Sequence, residues 1–124
     1  MNSEEVTALV RRLIDEYHYE LPEPGTILGT PWSQAKIVEH VSLLKSCLVQ
    51  PYKQRFLLRE GGNPPKPNVA EIEEYWVVAE RPGFYLEWLD PSPGEFGLGE
   101  SASNGQLAVS IGVRGDVVGV FCAM

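Results

Sequence analysis

The chain has 124 residues, 44% of them hydrophobic, with 17 acids against 10 Lys and Arg and a net charge of -7. That composition suits one globular domain (1–124), with about two-thirds of the unfolded surface buried on folding, and excludes a disordered chain. The acidity speaks against a nucleic-acid binder and against adsorption to anionic membranes.

Residues 3–19 carry the clearest helical signal. Val6, Leu9, Val10, Leu13, Ile14 and Tyr17 form one apolar stripe. Asn2 and Glu5 stand at capping-box spacing, and Pro22 and Pro24 close the segment. A connector over 20–30 leads to a second helix, with Thr30 as its cap and Pro31 at its first position. Ile37, Val41, Leu44 and Leu48 repeat at helical spacing, and Pro51 ends the run.

The period then changes. Tyr52, Gln54, Phe56 and Leu58 alternate with Lys53, Arg55, Leu57 and Arg59, the pattern of a half-buried strand. Prolines and glycines over 61–68 make a loop. Strands follow over 72–80, 84–90 and 95–98, separated by Arg81-Pro82-Gly83 and Pro91-Ser92-Pro93-Gly94. A loop over 101–105 precedes a strand marked by Leu107, Val109 and Ile111. Arg114-Gly115 then turns the chain into a last strand over 116–123. Short connections imply antiparallel neighbours. The expected fold is α+β: two N-terminal helices packed on one face of a curved antiparallel five- to six-stranded meander sheet.

No motif fixes an activity. Gly97-Leu98-Gly99-Glu100-Ser101-Ala102 spells GxGxxA, but no helical period follows, so its glycines read as turn residues. Arg114-Gly115-Asp116 reads as a hairpin tip. His18, His40, Cys47 and Cys122 show no metal-ligand spacing, and the cysteines read as two reduced thiols of a cytoplasmic protein. No catalytic residue, metal or cofactor is expected.

Charge is the most localised feature. Residues 71–100 hold eight acids against the single base Arg81, while the rest of the chain carries nine of each. Aromatic residues concentrate in the same stretch. The expectation is a non-catalytic binding protein whose acidic, aromatic face meets a basic protein partner, with Glu73, Glu74, Trp76, Glu87, Trp88 and Asp90 as the contact residues. In that face the charges steer and the aromatics anchor.

Through the segments 75–80, 84–99 and 115–124 the chain resembles the small acidic cytosolic immunity proteins of bacterial polymorphic-toxin systems. The resemblance implies stoichiometric inhibition of a toxin without catalysis, and the acidic face suits a basic, nuclease-type target. A second reading is a ligand-binding or catalytic cup similar to the nuclear-transport-factor-2-like folds, with His18, His40, Tyr75 or Trp88 inside it. A third is a homodimer paired through an exposed strand edge.

Overall fold

In the computed structural model the described residues are 1–18, 33–58, 72–83, 85–100 and 108–123. They form an α+β fold with a five-stranded, mainly antiparallel sheet. The elements are α1 (Ser3–Asp15), α2 (Gln34–Cys47), β1 (Leu48–Leu58), β2 (Ile72–Glu80), β3 (Leu86–Asp90), β4 (Glu95–Glu100), β5 (Ala108–Gly115) and α3 (Val117–Cys122). The loops expected over 20–30, 61–68 and 101–105 lie outside the described residues.

Helix α1 forms as its pattern dictates. The Asn2 side chain accepts from the Glu5 backbone N–H at 2.8 Å, and Glu5 Oε1 accepts from the Asn2 backbone N–H at 3.0 Å. Val6, Val10 and Ile14 are buried along its apolar stripe. The helix stops at Asp15, short of the expected residue 19, because the Glu16 and Tyr17 backbone N–H groups close its last turn on Arg12 and Ile14. Helix α2 is capped by Ser33, whose hydroxyl accepts from the Lys36 N–H at 3.1 Å, while the start expected at Thr30 and Pro31 lies outside the described residues.

Strand β1 begins directly after α2 and takes in Pro51, which sits where the β1–β2 register shifts. A missing N–H is tolerated at such a bulge. Strands β1 to β5 pair in sequence order, each antiparallel to the next. The sheet then closes: Phe56, Leu57 and Leu58 of β1 pair in parallel with Ala108, Val109 and Ser110 of β5. The open curved meander is therefore corrected to a closed barrel. Closure occupies part of the edge that an edge-paired homodimer would use, at Phe56–Leu58 and Ala108–Ser110.

The last segment, expected as a strand, is the short helix α3. Asp116 caps it, accepting from the Gly119 N–H at 2.9 Å. Its Val117, Val118, Val120 and Phe121 are all buried, so tertiary packing outweighs the β-branched preference for strand. Arg114-Gly115-Asp116 is thus the end of β5 and the cap of α3 rather than a hairpin tip.

Two cores lie on opposite sides of the barrel wall. Phe56, Tyr75, Val77, Trp88 and Ala108 form one cluster, which contains no helix residue and fills the interior. The other joins buried side chains of all three helices to Trp76, Val78, Leu89, Phe96 and Leu98 on the outside of the wall. Gly97 and Gly99 lie within β4, not in a turn. A Cβ at Gly97 would fall inside the Trp88 ring, and one at Gly99 would stand 2.7 Å from Phe56 Cε1. The glycines make room for the two large aromatics.

Candidate functional site

The strand register gathers part of the acidic stretch at one end of the barrel. Glu73 and Glu74 open β2 and pair across to Phe56 and Arg55. Two residues on, Trp76 stands opposite Leu89, next to Asp90, and Asp90 pairs with Glu95. Four acids therefore share the end where β2 begins and β3 turns into β4. Glu73 and Glu74 are exposed, as is the adjoining Ile72 at 43%.

Cations from neighbouring strands answer most of these acids. Lys53 approaches Glu74 at 3.7 Å. Arg114 approaches Asp90 at 3.9 Å and Glu95 at 3.8 Å. Its guanidinium also donates to the Tyr75 hydroxyl at 3.2 Å and lies 5.0 Å from the centre of the Trp88 ring. Burial alone would lower the Arg114 pKa, but the Tyr75 hydroxyl and the Glu95 and Asp90 carboxylates outweigh it and hold it above its usual value. Arg114 thus closes this end over the stacked pair Tyr75 and Trp88, whose ring centres lie 4.2 Å apart.

The six residues expected to form one face do not. Glu73 and Glu74 are exposed, and Asp90 is half-buried in its pairing with Arg114. Trp76 is buried on the outer wall, with the Lys53 ammonium 5.4 Å from its ring centre. Trp88 is fully buried inside the barrel, its indole N–H donating to the Leu98 carbonyl at 3.1 Å. Neither tryptophan is placed to anchor a partner. The physical reason is that β2 and β3 are covered on both sides, so alternation sends their side chains into two cores rather than into one core and solvent.

Glu87 is the largest departure. It is fully buried on the outer, helix-covered side of β3, between Ala79 of β2 and Leu98 of β4. Neither carboxylate oxygen has a hydrogen-bond partner among the described residues. Burial pushes its pKa well above the usual carboxyl range, and the charge of Asp116 adds to the rise. The Cys122 thiol is pushed up in the same way, by burial and then by Asp116 and Glu87, with Lys36 opposing. Asp116, the cap of α3, therefore acts on both groups, and Glu87 acts on the Cys122 thiol. Its sequence signal is one acid bracketed by Leu86, Trp88 and Leu89.

The residues named for a ligand cup are not all placed together among the described residues. Tyr75 and Trp88 stack against each other and fill the interior with Phe56. His18 is exposed, and the His40 ring hydrogen-bonds at 3.0 Å to the Lys36 carbonyl of its own helix. These four residues do not converge on a shared hollow. Among the described residues no cluster of His, Cys, Asp and Glu could hold a metal ion, and no helix is long and apolar enough to cross a membrane. No known protein family, curated protein or solved structure matches the chain.

Proposed function

We propose that the chain is a non-catalytic binding protein that docks a basic protein partner through the acidic end of its barrel. The concrete form is a bacterial, cytoplasmic immunity-type inhibitor whose partner is a toxin with a phosphate-binding, positively charged cleft. The observation that supports this reading is the exposed pair Glu73 and Glu74 at the barrel end shared with Asp90 and Glu95. The contact set becomes Glu73, Glu74 and Ile72 at its centre, with Asp90 and Glu95 at its rim. Ile72 takes the apolar role first given to the tryptophans. The Lys53–Glu74 and Arg114–Glu95 pairs are largely exposed, and such pairs contribute about 0–1 kcal/mol. A partner's cations can therefore exchange with them at small cost.

The test starts with affinity capture from the native host, using the wild type and the Glu73→Lys/Glu74→Lys variant as parallel baits. Association of the purified partner is then timed across a salt series. The expected partner is basic, and charge reversal slows its association by about tenfold or more and flattens the salt dependence. A partner that associates equally fast with both baits at every salt concentration overturns the assignment.

A further inference from the structure

On the flank of the barrel, β1 and α1 enclose a cleft that the acidic end does not involve. Leu48 stands opposite Ala79 and Tyr52 opposite Val77, so residues 49–51 share the single partner Val78. A bulge of this kind bends the strand and re-aims its side chains. Between the bulge and α1 lies a hollow of about 150 Å³.

The walls of this hollow divide into two kinds. Val10, Leu48, Val49 and Val78 line it with aliphatic surface, while Thr7, Arg11 and Gln50 supply polar groups. Ser3 holds two of those polar groups in place. The Gln50 amide donates to Ser3 Oγ at 2.5 Å, Ser3 Oγ donates to the Pro51 carbonyl at 2.7 Å, and Thr7 Oγ1 donates to the Ser3 carbonyl at 3.0 Å. Arg11 is exposed and forms no ion pair among the described residues. The acid one turn further along α1, Asp15, pairs with Lys45 instead, at 3.6 Å. Arg11 thus places a guanidinium without an ion pair among the described residues at the lip of a hollow of mixed polar and aliphatic lining.

We infer that this cleft binds a small organic carboxylate. The guanidinium fork of Arg11 matches a carboxylate bidentately, and the second amide hydrogen of Gln50 is available to the same group. The apolar body of the ligand lies against Leu48 and Val49, the partly exposed aliphatic residues of the lining. The volume of about 150 Å³ limits the ligand to one ring or a short branched chain. Inorganic anions lack the apolar body, and neutral aromatics lack the charge. Both bind more weakly than the molecule that has both.

Benzoate is the probe, titrated into the full-length chain labelled for amide NMR, with benzyl alcohol and inorganic phosphate as the two half-ligands. Benzoate is expected to shift the amides of Val10, Val49 and Val78 saturably, with a Kd on the order of millimolar. Each half-ligand is expected to bind at least about tenfold more weakly. Arg11→Gln, at an exposed position that leaves the fold intact, weakens benzoate by about tenfold or more and leaves benzyl alcohol unchanged. The inference is overturned if benzoate shifts none of these amides, if phosphate alone shifts them as strongly, or if Arg11→Gln leaves the benzoate affinity unchanged.

Discussion

The two sides of the barrel wall are packed by different means. Inside, three aromatic rings meet at centre distances of 4.2 to 6.2 Å, and two strand glycines give up their side chains to admit them. The polar atom that enters with Trp88 is satisfied by the Leu98 carbonyl. Outside, aliphatic side chains of three helices meet the wall, and in their midst Glu87 keeps two oxygens without a partner among the described residues. The inner cluster among the described residues contains no charged residue, and Arg114 covers its end. The outer core holds a carboxyl group whose pKa burial raises well above the usual range. Steric fit therefore governs one side and desolvation governs the other, although the same strands supply both.

The sharpest way to break this contrast is Gly97→Ala. The new Cβ lands within the Trp88 ring, and neither ring nor strand has a free end to yield. A loss of about 3 kcal/mol is expected, the upper end of overpacking penalties, read as a fall in the urea midpoint. Combining it with Trp88→Phe is expected to cost less than the sum of the two single changes, because they share one clash. Strict additivity would show that the clash does not govern the interior.

On the outer side the expected change has the opposite sign. Glu87→Leu removes two buried acceptors that have no partner among the described residues, and a gain of about 1–3 kcal/mol at neutral pH is expected. The pH dependence follows from the direction of the shift. The folded protein holds the Glu87 proton to higher pH than the unfolded chain, which releases it near 4.5. Stability is therefore lost as pH rises from about 4.5 towards the folded-state pKa, and is level above it. Glu87→Gln is expected to remove that component. Parallel pH profiles for the wild type and Glu87→Gln would break the account.

The smallest effect concerns the cap beneath this layer. Asp116→Ala removes the acceptor for the Gly119 N–H and is expected to cost about 1 kcal/mol. Asp116→Asn keeps an acceptor at the cap and takes away the charge that raises the Glu87 pKa, so it is expected to shrink the pH slope while sparing the helix. If Asn and Ala destabilise alike, capping is not what Asp116 does.

Part of the fold was legible because the relevant forces are local. The stripe from Val6 to Tyr17 and the pairing of Asn2 with Glu5 determine α1 from within one segment. Pro82-Gly83 and Pro93-Gly94 mark their turns through backbone preference, and both glycines take a positive φ, 81° and 82°. The acidic stretch was legible as a count, and Glu73 and Glu74 do emerge on the surface.

What the sequence could not decide is which side of each strand met which neighbour. Residues 75–79 are buried without a break, so their order carries no inside and no outside. Only closure of β5 onto β1 assigned Trp88 to the interior and Glu87 to the helix layer, and so withdrew both from the surface. The same long-range packing turned the β-branched residues of 117–122 into a helix, because Asp116 capped them and the outer wall buried them. Local preference determined where the elements begin and turn. Tertiary burial decided which acids remain available to a partner.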